Sequence, residues 1–211
     1  MFTTGTYIGS RAADACFLTL DPNTAHTQLI LSNGNKTACV TDLQLYPDHP
    51  DRFEFCEQVL CKETLTGRCY WEAEWSGLVH VAVAYKSIER KGGSDCRFGL
   101  NDKSWNIYCG DSNYSVWHNS KSTNIPCSLP SNRVGVYVDV SSGSLSFYSV
   151  SDTHTLIHTF NTTFTEDLYA GFLVYPDSSV SELTSSCEEP HTHINVKTKH
   201  KYLWLNIMNC N

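Results

Sequence analysis

Residues 70–75 read YWEAEW, and after a Ser-Gly turn residues 79–85 read VHVAVAY. In the first segment apolar side chains alternate with glutamates, the period-2 pattern that indicates a strand with one buried face. In the second segment a valine or tyrosine occupies every other position and small residues or a histidine fill the gaps. We therefore expect both faces of the second strand to be covered. Together the segments predict a strand, a tight turn and a strand within an antiparallel, layered β-protein.

The rest of the chain repeats this pattern, with short apolar runs separated by turn residues. Regular spacing of this kind is typical of a β-sandwich. The clearest hairpin is predicted at residues 134–150, VGVYVDVSSGSLSFYSV, where Ser-Ser-Gly supplies the reversal. Helical signal is sparse, and we expect one short helical turn at the front, capped by Asp14. The predicted strands cover residues 29–31, 39–40, 70–75, 79–85, 105–108, 114–117, 134–140, 145–148, 156–160 and 169–174.

The chain of 211 residues is long enough for one substantial all-β core. We predict a flexible lead-in over residues 1–13, one domain over residues 14–183 and an irregular tail over residues 184–211. The apolar cluster of that tail, residues 202–208, is interpreted as a docking peptide, an extra edge strand or an unselected extension. No apolar run approaches the ~20 residues that a membrane-spanning helix needs.

Cysteine usage and charge bear on the compartment and the partner class. The ten cysteines are scattered irregularly, with no Cys-x-x-Cys pair and no leader-like segment before them. We therefore expect most of them to be small buried apolar residues of a cytoplasmic protein. Asn-x-Ser/Thr triplets at Asn35, Asn113 and Asn161 leave secretion as the alternative. The formal net charge of −7 opposes binding to nucleic acid and to anionic lipid.

Motifs for the common enzyme classes are missing from the sequence. It contains no Gly-x-Ser-x-Gly elbow, no phosphate-binding loop ending in Gly-Lys-Ser/Thr and no His-Glu-x-x-His. His191 and His193 could bind a metal with Cys187 or Cys210, but the spacing has little specificity. We therefore predict a protein that is not an enzyme and that needs no cofactor or metal.

His80 is the most informative histidine, because it lies between valines on a strand that is predicted to be buried. A buried imidazole must find a hydrogen-bond partner or line a cavity. His80 is therefore either a core residue with satisfied hydrogen bonds or part of a binding surface.

Aromatic residues cluster around a predicted turn in residues 105–119, WNIYCGDSNYSVWHN. Tyr108, Tyr114 and Trp117 flank the turn, and Asp111 lies within it. Aromatic side chains near an exposed loop are effective anchors for a protein partner. We expect these four residues to bind the partner, with a core position as the alternative for Trp117.

The polar loop at residues 87–95 is a second candidate for a binding rim. It contains Arg90 and Lys91 followed by two glycines. This composition is typical of flexible binding loops and of solvated connections alike. Arg90 and Lys91 are therefore included among the predicted partner-binding residues.

Six segments, taken in order, resemble the PRY and SPRY halves of a B30.2 domain, with PRY over about residues 14–66 and SPRY over about residues 67–183. They are most similar to fish versions of this domain, which occur in tripartite-motif ubiquitin ligases, NACHT/leucine-rich receptors and stonefish cytolysin subunits. The segments are LDPNTAHTQLILS (20–32), YPDHPDRF (46–53), VLCKETLTGRCYWEAEW (59–75), KSWNIY (103–108), RVGVYVDVSSGSLSFYSV (133–150) and TLIHTFNTTFTEDLYAGF (155–172).

The resemblance implies a bent sandwich of two antiparallel sheets that binds a partner protein through loops at one end and carries out no catalysis. It favours innate immune sensing or substrate recognition for a ubiquitin ligase, with the targeting domain of a cytolysin-like pore-forming protein as the alternative. We expect the isolated domain to be monomeric. Binding positions of an antibody-binding relative match His80, Tyr108 and Gly110, and its loop phenylalanine matches Phe164. In butyrophilins that sense phosphorylated metabolites, a histidine also matches His80, whereas an arginine of their basic pocket matches Ser115.

Overall fold

Thirteen β-strands make up most of the regular structure in the part of the chain that the computed structural model describes, residues 14–110, 113–126 and 131–183. The predicted lead-in (1–13) and tail (184–211) lie outside the described residues. The strands are β1 (Leu29–Ser32), β2 (Thr37–Val40), β3 (Gln58–Leu65), β4 (Arg68–Ser76), β5 (Val79–Tyr85), β6 (Ser104–Gly110), β7 (Asn113–His118), β8 (Lys121–Ile125), β9 (Arg133–Asp139), β10 (Ser144–Val150), β11 (His154–Asn161), β12 (Leu168–Val174) and β13 (Ser179–Leu183).

The strands form two antiparallel sheets, so the predicted all-β sandwich is confirmed. One sheet has seven strands in the order β1-β2-β13-β4-β9-β10-β11, and the other has six in the order β3-β12-β5-β6-β7-β8. The core lies between them, because most of the strands turn alternate side chains inwards. Trp71 of β4, Val81 of β5, Val136 of β9 and Phe147 of β10 are fully buried members of one apolar cluster.

Strands β4 and β5 are consecutive along the chain but do not pair with each other. β4 pairs with β9 and β13 in the seven-stranded sheet, whereas β5 pairs with β6 and β12 in the six-stranded sheet. The turn between them carries the chain from one sheet to the other, with Gly77 at a φ of +75°. A Cβ at Gly77 would lie 2.3 Å from Oγ of Ser178, so the close approach requires glycine. The tight turn that the sequence predicts is therefore a crossing between layers rather than a hairpin.

Strand β5 is buried on both faces, as its sequence predicts. Its valines face the sandwich core, whereas Ala82 and Ala84 face a second apolar cluster that includes Phe53 and Phe98. The two phenylalanine rings meet edge to face with centroids 5.7 Å apart. The outer side of the six-stranded sheet is thus covered along the middle of this strand.

The segment that covers this outer side is hydrogen-bonded to the sheet through the buried side chain of Gln58 on β3. Its Nε2 donates to the carbonyl oxygen of Cys96 at 2.7 Å, and its Oε1 accepts from the backbone N–H of Phe98 at 3.0 Å. Both partners belong to the connection between β5 and β6, residues 86–103. The part of this connection at Cys96 and Phe98 therefore has a fixed position on the sheet.

Three strands have no counterpart in the sequence prediction, namely β3, β8 and β13. β8 reads KSTNI and is an edge strand whose side chains are almost all exposed, so it lacks the apolar alternation that marks a strand. β13 reads SVSEL and is similarly polar, although it lies between β2 and β4. Pairing with neighbouring strands, rather than a local pattern, orders these segments.

The helical turn predicted at Asp14 is not found. The carbonyl oxygen of Asp14 accepts a hydrogen bond from the backbone N–H of Tyr70 at 2.7 Å, and its carboxylate pairs with Arg68 at 3.3 Å. These contacts hold the segment around Asp14 as extended chain beside β4. A short 3₁₀ turn at Ser94–Cys96 is the helical element of the described residues, none of which forms a helix long and apolar enough to cross a bilayer.

The described cysteines are of two kinds. Cys16 and Cys69 form a disulfide with their Cα atoms 5.5 Å apart, a pairing that the sequence did not predict. This bond links the extended segment that follows Asp14 to β4. Four others are buried free thiols, as expected of small apolar residues, and burial raises the pKa of Cys61 well above its usual value. These four are Cys56, Cys61, Cys96 and Cys109.

Candidate functional site

One end of the six-stranded sheet leaves part of its outer side accessible. The register places His80 of β5 opposite Tyr108 of β6, and Tyr108 opposite Ser115 of β7. Because side chains alternate along a strand, Trp117 of β7 shares this outer side. Two further residues come from the connection between β5 and β6 and from the position directly after β12. We call the surface formed by His80, Arg97, Tyr108, Trp117 and Tyr175 the open face.

His80 forms the buried floor of the open face, with 4% of its surface exposed. Its Nδ1 lies 3.0 Å from Oδ1 of Asn106, so Nδ1 donates and Nε2 is left as an acceptor. Nε2 lies 3.5 Å from Nη2 of Arg97 and 3.5 Å from the hydroxyl of Tyr175. Burial lowers the pKa of His80 to about 4, the hydrogen bond to Asn106 opposes this shift and the charge of Arg97 adds to it. The imidazole is therefore neutral at neutral pH.

Arg97 lies beside His80 and is half-buried. Its Nη2 donates to the hydroxyl of Tyr175, and its guanidinium carbon lies 5.5 Å from the centre of the Tyr175 ring. Sequence reasoning missed both residues, because each lies in a loop where no local periodicity marks it. Only the folding of two distant loops onto the same sheet brings them to His80.

Tyr108 and Trp117 are the half-buried aromatic residues that strands contribute to the open face. The Tyr108 ring packs edge to face on His80 with centroids 5.2 Å apart. The indole N–H of Trp117 donates to Oγ of Ser115 at 2.8 Å, which orients the indole ring. Both rings are held by strands and keep part of their surface accessible, so both remain candidates for partner binding.

Tyr114 is buried, with 3% of its surface exposed, and the expectation that it is an exposed anchor is wrong. Its ring packs edge to face on Trp75 at 6.2 Å, and its hydroxyl donates to the carbonyl oxygen of Ser131 at 2.9 Å. Strand alternation is the reason, since Tyr114 and Val116 point inwards while Ser115 and Trp117 point outwards. That alternation is legible in the sequence and could have assigned Tyr114 to the core.

Phe164 does not join the open face. It packs edge to face on the core residue Trp105 at 5.4 Å. The backbone N–H of the neighbouring Thr165 donates to the hydroxyl of Tyr85 at 3.1 Å. Tyr85 lies at the opposite end of β5 from His80. Tyr85 follows His80 by five residues along β5, a separation of roughly 16 Å. Phe164 and His80 therefore belong to different parts of the surface.

Arg90 and Lys91 differ in exposure although they are neighbours. Arg90 is buried, donates to the carbonyl oxygen of Lys86 at 2.9 Å and lies 4.5 Å from the centre of the Phe53 ring, so its predicted place on a rim is wrong. Lys91 is exposed and pairs with Glu54 at 2.7 Å. Asp111 lies outside the described residues. Among the described residues, no group of three or more His, Cys, Asp or Glu side chains could hold a metal ion.

Two protein-family models and several known proteins match this chain. The model of PRY, the SPRY-associated domain, matches residues 18–65, and the SPRY domain model matches residues 68–185. Stonustoxin subunit beta of Synanceia horrida is 46% identical over 163 residues, which cover 75% of this chain and 23% of the toxin subunit. Tripartite motif-containing protein 16 of Mus musculus is 38% identical over 183 residues, covering 83% of this chain and 33% of that protein.

A solved structure agrees with the fold. The crystal structure of the TRIM65 PSpry domain matches with a TM-score of 0.75 at 24% identity, covering 87% of this chain and 99% of that chain. The chain thus spans about a quarter to a third of the curated relatives described above, but nearly the whole of one isolated PSpry domain.

Proposed function

The chain belongs to the PRY/SPRY family, as its motifs predict, and from this premise we propose that it is a protein-binding module whose open face contacts the partner. The observation that carries the proposal is the pair of half-buried rings, Tyr108 and Trp117, which keep part of their surface accessible on neighbouring strands of the sheet. Aromatic side chains held in this way are efficient anchors, because they bury a large area at a small cost in conformational entropy. The family's SPRY domain is a binding module and not typically catalytic.

The biological setting we propose is cytoplasmic recognition, either in innate immune sensing or in choosing the substrate of a ubiquitin ligase. The similarity to a tripartite-motif protein supports this setting. In such an arrangement the described domain would hold the partner, and any transfer chemistry would belong to another domain.

A second candidate is the targeting domain of a cytolysin-like pore-forming protein. The 46% identity to stonustoxin subunit beta favours it. This function predicts that the domain binds to cell surfaces or liposomes, whereas the first predicts capture of a soluble protein. A flotation assay with liposomes, with and without membrane proteins, separates the two.

The test of the proposed function is a capture experiment with a double variant, Tyr108→Ala/Trp117→Ala. The matched control is Tyr137→Ala/Tyr148→Ala, which removes two half-buried tyrosines from β9 and β10 of the other sheet. We expect the wild-type and control domains to capture the same proteins, and the open-face variant to lose them while keeping its thermal unfolding transition. Equal capture by both variants would show that the partner binds elsewhere.

A further inference from the structure

Unlike the other described arginines, Arg97 has a side chain that neither pairs with a carboxylate nor donates to a backbone carbonyl oxygen. We infer that the open face binds an Asp or Glu side chain of a partner peptide, and that the carboxylate pairs with the guanidinium of Arg97. The inference rests on the proposed function, because it names the chemistry of the partner that the same surface would hold.

The remaining described arginines are engaged in holding the fold. Two of them are buried against carbonyl oxygens, and two are paired with carboxylates. Arg52 donates to the carbonyls of Pro22, Ala25 and Pro47, each at 2.7 Å; Arg90 donates to that of Lys86; Arg68 pairs with Asp14, and Arg133 with Glu72.

Arg97 instead makes contacts that leave its charge uncompensated. Nη2 faces the Tyr175 hydroxyl and Nε2 of His80, which are both neutral groups. Among the described residues no carboxylate pairs with Arg97. Its Nε and Nη1 donate to no described atom and are not among the buried unpaired nitrogens, so each keeps some accessible surface. A half-buried guanidinium with free donors is well suited to a carboxylate, with which it forms charge-assisted hydrogen bonds.

The charge of the site favours one carboxylate over a phosphate group. His80 is neutral, so Arg97 is the single positive charge among the five residues of the open face. Recognition of phosphorylated motifs generally uses clusters of arginines. The whole chain carries a formal net charge of −7, which gives an acidic partner no general attraction. The pairing with Arg97 must therefore be local, with Tyr108 and Trp117 contacting apolar parts of the same peptide.

The experiment begins with a phage-displayed library of random linear peptides, selected on the immobilised domain. We expect the enriched peptides to share an Asp or Glu at one position and to include apolar residues nearby. One enriched peptide and its Asp→Asn or Glu→Gln counterpart are then measured against the wild-type domain and against Arg97→Gln. Arg133→Gln is the matched control, because it removes a half-exposed arginine from the other sheet.

A direct pair has a distinctive signature in this double-mutant cycle. Each single change should weaken binding about 10- to 100-fold, and the two together should weaken it little further. Arg97→Lys should recover part of the affinity, and Arg133→Gln should bind like wild type. The pairing would be overturned if the fold-losses in affinity of the two single changes multiply when the changes are combined. Enriched peptides without a shared acidic position would overturn it as well. If Arg97→Gln fails to fold, the wild-type domain alone still tests the pairing. Equal affinity of that domain for the acidic peptide and for its Asn or Gln counterpart would overturn the pairing.

The outcomes also separate this inference from the function on which it rests. Peptides that bind the wild-type domain, lose affinity for Tyr108→Ala/Trp117→Ala and contain no acidic residue would leave the module function standing and reject the carboxylate. A selection in which no peptide is enriched over a blank support would count against both.

Discussion

The β9–β10 hairpin and the open face are both built from alternating strands, yet they are held together in different ways. In the hairpin, Val136 and Phe147 lie opposite each other, are fully buried and meet apolar atoms on the inner side. On the open face, Tyr108 and Arg97 keep part of their surface in water, and the one fully buried member, His80, is polar. Burial therefore determines the first region, and hydrogen bonds between loops and strands determine the second. Substitutions in the two regions should accordingly separate stability from binding.

The largest effect should come from Trp71→Ala, which empties the sandwich core beside the hairpin. Trp71 is 1% exposed and lies opposite Val136 in the register of β4 and β9. We expect the free energy of unfolding to fall by about 3–5 kcal/mol, through lost burial and the cavity that remains. Urea unfolding measures this change. An unchanged unfolding midpoint would contradict the assignment of Trp71 to the core.

The two tyrosines that flank the β6–β7 turn make the comparison sharper. Tyr114→Ala should cost about 2–4 kcal/mol, because this ring is buried on Trp75, whereas Tyr108→Ala should cost about 1 kcal/mol or less. Thermal unfolding of both variants in one buffer tests the order. If Tyr108→Ala is the more destabilising change, the distinction between core and open face fails at this turn.

His80 should make the open face sensitive to acid. Its pKa is about 4 in the folded protein against 6.5 for the ordinary side chain, so the unfolded chain takes up the proton first as the pH falls. Stability from this residue is complete above about pH 6.5 and declines as the pH approaches 4, with a loss of about 2 kcal/mol by pH 5. His80→Gln should lack this contribution.

The measurement is the difference in unfolding free energy between wild type and His80→Gln at pH 7.5 and at pH 5.0. Other titrating groups are common to both proteins and cancel in this difference. Equal pH dependence of the two proteins would mean that the imidazole is not held neutral by burial.

The smallest effect on stability should come from Arg97→Gln. Its guanidinium contacts neutral groups and solvent, so we expect the free energy of unfolding to change by less than about 1 kcal/mol. Arg52→Gln is the contrasting variant, because Arg52 is buried and satisfies three carbonyl oxygens. Arg52→Gln should lower the free energy of unfolding clearly more than Arg97→Gln does in the same denaturation series. Similar losses for both variants would mean that Arg97 has a structural role.

The candidate site was predictable where it lies on strands. His80, Tyr108 and Trp117 occupy segments whose alternation is visible, and the family resemblance matches binding positions to the first two. Proximity to a turn suggests an exposed position for Tyr114, whereas alternation along β7 correctly assigns it to the core. Phe164 was matched to a binding position by resemblance, yet it packs on Trp105, a contact with no local signature.

The sequence by itself determined the strands with clear alternation, the β9–β10 hairpin, the core positions of Trp71 and Val136 and the family. These properties depend on neighbours along the chain, where a period of two assigns each side chain to a face. The tertiary structure decided that β4 and β5 lie in different sheets, that Cys16 meets Cys69, and that Arg97 and Tyr175 reach His80. These properties depend on contacts between residues distant in sequence, which burial and hydrogen bonding select only when the whole sandwich forms.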